Sequence, residues 1–134
     1  MNHKRGKKRI FISILVLGVF CIAAALYFRS GPVLEDTEAC TISSVYYKGR
    51  EVTEEIDIQE LVQILARYRS RAALETAGPY QMEDVTAEIN GSCAGRPFHI
   101  VLGESCFQYE HAGGKRRTVL HGDKLLEEIS EKIF

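Results

Sequence analysis

The first 29 residues contain no acidic side chain, and the 19 from Ile10 to Phe28 carry no charge of either sign. Four cysteines in 134 residues are too few for a dense disulfide framework. Eleven glycines and three prolines without a repeat exclude a collagen-like chain, and 46% hydrophobic residues exclude bulk disorder. Also missing are Gly-x-Ser-x-Gly, Ser-x-x-Lys, a Walker loop, a dinucleotide fingerprint and any tight metal-ligand spacing such as Cys-x-x-Cys or His-x-x-x-His. The length suits one modest domain.

The long uncharged run is the strongest feature present. Seventeen of its 19 residues are apolar, and Ser13 and Gly18 are the departures. As a helix at about 1.5 Å rise per residue it spans roughly 28 Å, the thickness of a bilayer's hydrocarbon layer. On the surface of a small soluble domain it would expose an apolar patch that monomers do not tolerate. Lys4, Arg5, Lys7, Lys8 and Arg9 precede it and only Arg29 lies closely behind it. The positive-inside rule then keeps residues 1–9 cytoplasmic, as a basic tail attracted to anionic headgroups, and exports the chain beyond residue 28. Tyr27 and Phe28 fall at the outer boundary, where aromatic side chains are favoured. Residues 10–28 are thus expected to partner the lipid bilayer, and the adjoining apolar run argues against a nucleic-acid role for the basic tail. A cleaved signal peptide is the rival reading, because Ala23-Ala24-Ala25 fits a small-x-small cleavage pattern. The run continues past it to full spanning length.

The net charge of −1 hides a split. Residues 30–134 hold eleven Lys/Arg against eighteen Asp/Glu, a net −7. Residues 29–39 are polar and without hydrophobic period, and read as a linker. Residues 40–134 read as an extracytoplasmic α+β domain of the order β-α-β-β-β-β-α, with an antiparallel sheet and two helices on one face. Thr41–Lys48 is the opening strand, Lys48-Gly49-Arg50 a turn, and Glu51–Thr53 a brief return strand. Asp57–Arg69 is the first helix, capped by Asp57, with Ile58, Leu61, Val62, Leu65 and Tyr68 on one stripe. Ala77-Gly78-Pro79 prevents its continuation. Four alternating segments around Val85–Asn90, Phe98–Leu102, Cys106–Glu110 and Lys115–Leu120 come next with short links, including the Gly113-Gly114 turn, and suggest a meander. Asp123–Ile133 closes the chain as a helix with Leu125, Leu126, Ile129 and Ile133 on its stripe.

The candidate sites are few. Cys40, Cys93 and Cys106 lie beyond the membrane run, an odd number. Cys93 and Cys106 fall on strands two apart, roughly 9–10 Å, too far for a disulfide. Cys40 with either partner stays open, and small buried hydrophobes are the expectation for all three. His99, His111 and His121 lack ligand spacing, so no metal and no cofactor is expected. No catalytic residue is assigned; the alternative is an envelope enzyme using Cys106 or a histidine. Two basic clusters remain, Arg67, Arg69 and Arg71 at the end of the first helix and Lys115, Arg116 and Arg117 after the glycine turn. Helix capping and protection of a sheet edge explain them structurally. If they converge in space, they suit an anionic wall polymer, lipid or an envelope protein.

The basic start with the Ile10–Phe28 run, the strand Thr41-Ile42-Ser43-Ser44-Val45, the helix start Asp57-Ile58-Gln59-Glu60-Leu61 and the closing Gly122-Asp123-Lys124-Leu125-Leu126-Glu127-Glu128-Ile129 resemble small extracytoplasmic domains of unknown function from Gram-positive bacteria. Those are carried on one N-terminal helix or on a lipid anchor. The resemblance covers most of the chain, implies a place at the cell surface and brings no catalytic motif. Phe20, just before Cys21, departs from the small residue that a lipid-anchoring motif needs. The function expected is therefore a membrane-anchored, non-catalytic binding module, with a secreted binding or inhibitor-like domain as the alternative.

Overall fold

A computed structural model describes residues 2–27, 29–73, 84–104, 107–111 and 116–134. Among them are three α-helices and an eight-stranded antiparallel sheet. The architecture is α+β.

Helix α1 runs Asn2–Tyr27. Within His3–Leu26 an 18-residue stretch reaches a mean hydropathy of 2.5, and none of it is buried. Phe11 and Phe20 are 68% and 71% exposed.

The chain then enters the domain sooner than the linker reading expects. Strand β1, Gly31–Pro32, pairs with β4, and Val33 and Leu34 are buried in the core at 1% and 2% exposure. These two apolar residues give no period, so only their burial shows that they belong to the domain. Strand β2 is Cys40–Tyr47, and Lys48-Gly49, both at positive φ, turn it into the two-residue β3, Arg50–Glu51. A single 3-10 turn at Thr53–Glu55 leads to α2, Ile58–Ala66.

Asp57 caps α2 as its sequence position suggests, its carboxylate accepting from the Glu60 amide at 3.1 Å. Leu61, Ile64 and Leu65 are buried, while Ile58 and Val62 flank the core. The helix stops at Ala66, three residues short of the expected end. The chain turns there, and Arg69–Ala72 becomes strand β4. Tyr68 keeps its place against the core from the turn, which is why it fits the helical stripe without being helical. The expected order thus misses β1 and β4, while the brief return strand expected at Glu51–Thr53 is found as β3 at Arg50–Glu51.

Strands β5 (Val85–Cys93), β6 (Arg96–Gly103), β7 (Phe107–His111) and β8 (Arg117–Val119) pair in succession as a meander. The sheet order is β1-β4-β8-β7-β6-β5-β2-β3. The β2–β3 hairpin before α2 and strand β4 after it therefore join opposite sides of the meander, with β1 outside β4. Helix α3, Gly122–Lys132, buries Leu125 and Ile129 and touches α2. Both helices share one core with Val45, Ile89, Ile100, Leu102, Tyr109 and Val119, which alternate onto one face of the sheet. The expected turns at residues 77–79 and 113–114 lie outside the described residues.

Candidate interaction surface

Antiparallel pairing of β4 with β8, Arg71 opposite Thr118 and Ala72 opposite Arg117, brings the two basic clusters onto neighbouring strands. They converge, but most of their charge is already used. Neither Arg69 nor Arg71 is at a helix end, and β8 is not an edge, since it lies between β7 and β4. The capping and edge-protection explanations therefore apply at most to Arg67, which is the C-terminal cap residue of α2.

Arg67 forms an ion pair with Glu128 of α3. The same carboxylate accepts from the Tyr68 hydroxyl at 2.7 Å and from Lys132 Nζ at 3.1 Å. The Tyr68 hydrogen bond, with those from Lys132 and Arg67, pulls Glu128 down to about 2. Burial, then the Glu128 partner, pushes Tyr68 up to about 12. This knot docks α3 against the end of α2. Arg69 donates from Nε to Ser30 Oγ at 3.1 Å and from its terminal nitrogen to the Ser30 carbonyl at 2.9 Å. Arg117 does the same for Ser70, at 2.9 Å to Oγ and 3.0 Å to the carbonyl, and so satisfies a side chain that is 1% exposed. Arg116 donates to Glu110 at 2.8 Å. Arg71 is exposed and has no partner among the described residues. Lys115 lies outside them.

Strand alternation separates the cations further. Arg117 shares the helix-bearing face with Ser70 and Ala72, whereas Arg71 projects from the other, with Thr118 and Gln108 in register beside it. That second face is mostly polar, with Val101 buried on it. His99 Nε2 lies 2.9 Å from Glu88 Oε1, and Asn90 donates to Ser44 Oγ at 3.2 Å.

A cavity of about 490 Å³ lies against the inner end of Arg117, lined by Val33, Glu35, Asp36, Arg96 and Tyr109. Two carboxylates face two guanidinium groups, so its charges compensate. Tyr109 is 3% exposed; burial first, then Glu35, raises it to about 12 against the opposing pull of Arg117. Burial thus favours the neutral phenol.

The histidines are dispersed. His3 is on α1, His99 faces Glu88, and His121 precedes α3 at φ 54. His111 ends β7 opposite Phe98. Among the described residues no three His, Cys, Asp or Glu side chains are placed to hold a metal ion. Cys106 lies outside those residues.

The cysteine expectation is corrected. Cys40 and Cys93 are directly opposed on β2 and β5, with Cα atoms 4.0 Å apart, and form a disulfide. They are not isolated buried thiols. Their pairing depends on β2 crossing to β5, a contact 53 residues apart in sequence, and the local patterns around each cysteine do not encode it. Cys21 is free and exposed on α1.

No protein-family model matches the chain, and no match is found among the curated proteins or the solved structures.

Proposed function

We propose that this chain is a single-pass membrane protein whose C-terminal α+β domain lies outside the cytoplasm and binds another envelope component without catalysing a reaction. The observation that carries the reading is the combination of a fully exposed apolar helix, α1, with a disulfide, Cys40–Cys93, on its C-terminal side. Hydrocarbon is the solvent that suits such a helix. Disulfides persist in oxidising compartments and are rare in the cytosol. Five basic residues before the span and one after it give the same orientation. A protein or an anionic polymer of the envelope is the partner class, met by the exposed Arg71, with Arg116, which already pairs with Glu110, on the same sheet face.

The placement is tested in intact cells. An external protease should remove the domain and leave residues 1–27 with the membrane, and the isolated protein should have its full mass. A form lacking residues 1–25 would favour the second reading, a secreted domain, which rests on Ala23-Ala24-Ala25. For binding, Arg71→Glu with Arg116→Glu should weaken recovery of a partner crosslinked in cells while leaving the fold intact. Arg117 is unsuitable for this purpose, because reversing it would strand Ser70. Undiminished recovery would remove this surface from the proposal.

A further inference from the structure

The outer edge of β2 is open over part of its length. Cys40 and Cys93 are a non-hydrogen-bonded pair, since the flanking Ala94 amide donates to the Ala39 carbonyl at 3.0 Å. The backbone N–H and C=O of Cys40 therefore point away from β5, and by alternation so do those of Ile42. On that outer side β3 covers only Tyr46 and Tyr47. The Val45 amide is taken by Thr53 Oγ1 and its carbonyl by the Val52 amide, both at 2.9 Å. From Cys40 to Ser44 no strand adjoins the edge among the described residues. Unpaired ladder groups of this kind accept another extended chain.

Beside the open edge, α2 forms a wall. Between them is a groove of about 560 Å³ with Ile42, Ile58 and Val62 on its floor and Glu38, Gln59 and Gln63 on its rim. Ile42 lies on the same sheet face as Cys40 and Val45, so it lines the side of the edge that α2 overhangs. Glu38 is the sole charged residue in the lining. A β-bulge lies between Ile42 and Ser44, so the regular open ladder is Cys40–Ile42, about 10 Å of extended chain.

We propose that this groove binds an extended segment of another protein, which adds to β2 as a further strand. Its backbone pairs with Cys40 and Ile42, alternate apolar side chains enter between Ile42 and Val62, and a Lys or Arg meets Glu38. The open ladder selects an extended backbone over a helix or a polymer. A second copy of this domain is disfavoured by charge, since each carries a net −7 outside residues 1–29 and the groove offers no cation. The inference rests on the binding reading above and names a site on the far side of the sheet from Arg71.

The test uses the full-length chain in detergent micelles and a displayed library of random nine-residue peptides. Selected peptides should alternate apolar residues and carry Lys or Arg. Their binding should slow hydrogen exchange of the Ile42 amide. Gln59→Trp, which fills the groove from an exposed helical position, and Glu38→Lys should each weaken binding about tenfold or more, while Arg71→Glu leaves it unchanged. A library that yields no binder, or binders indifferent to Gln59→Trp that leave Ile42 unprotected, overturns the proposal. Protection of Ile42 that grows with protein concentration and needs no peptide identifies a second copy as the occupant and overturns it equally. In-cell crosslinks that still form from Arg71 would then show that the anchored binding reading survives without this groove.

Discussion

The hydroxyl of Tyr68 donates to one oxygen of Glu128 across 2.7 Å, while Lys132 and Arg67 both meet the other oxygen. One carboxylate thus holds α3 to the turn where α2 gives way to β4. Glu128→Gln keeps the shape and removes the charge that three donors address. It should lower unfolding stability by about 2 kcal/mol, read from urea denaturation.

The same carboxylate sets an acid limit. Its value of about 2 lies below its ordinary 4.5. A depressed acid is held ionised by the folded state, so its contribution is complete above about 4.5 and is lost as pH falls toward 2. Stability measured between pH 5 and 2 should fall more steeply in the parent protein than in Glu128→Gln. Parallel acid profiles would contradict the role given to the Tyr68–Glu128 pair.

Tyrosine absorbance offers an independent check at the alkaline end. Tyr68 and Tyr109 are raised to about 12. A raised phenol favours the folded state below its ordinary value of 10, and that advantage disappears as pH climbs to 12. Tyr68 and Tyr109 should ionise late in the native protein, and Tyr68→Phe should remove one late transition. Simultaneous ionisation of every tyrosine near 10 in folded protein would count against both environments.

The Cys40–Cys93 bond closes a sequence separation of 53 residues. Replacing both cysteines with alanine should cost roughly 3–4 kcal/mol through the wider freedom of the unfolded chain. Guanidinium denaturation of the double variant against the oxidised parent measures this. An unchanged midpoint would mean that the sheet supplies the constraint unaided.

Gly91 lies where β2, β5 and β6 meet. A methyl group there would run into the Thr41 carbonyl and the Phe98 ring, and the carbonyl belongs to a paired strand that cannot swing aside. Gly91→Ala should cost about 2 kcal/mol and loosen the β2–β5 ladder. Amide exchange along Thr41–Val45 would register the loosening.

Features with a strong local signature were legible in the sequence. The apolar helix, the Asp57 cap, the Lys48-Gly49 turn and the meander each rest on residues close together in the chain. Strand β4 was not legible, because Arg69-Ser70-Arg71-Ala72 contains no β-branched or aromatic residue and buries only a serine and an alanine. Ser70 is acceptable inside because Arg117, 47 residues later, supplies its hydrogen bonds. The basic clusters were visible as composition, but which cations were spent on Glu128, Ser30, Ser70 and Glu110 depended on tertiary pairing. The groove beside β2 left no trace in the sequence, since it arises from a missing neighbour and not from a motif.

The clasp of Arg69 on Ser30 bears on how far the domain can travel. Helix α1 ends at Tyr27 and β1 begins at Gly31, so three residues at most separate them in the chain, about 10 Å when taut. With α1 as the proposed anchor, the domain rides at headgroup level on a stub instead of swinging on a leash. On the proposed reading, a partner must come down to the bilayer surface to be caught.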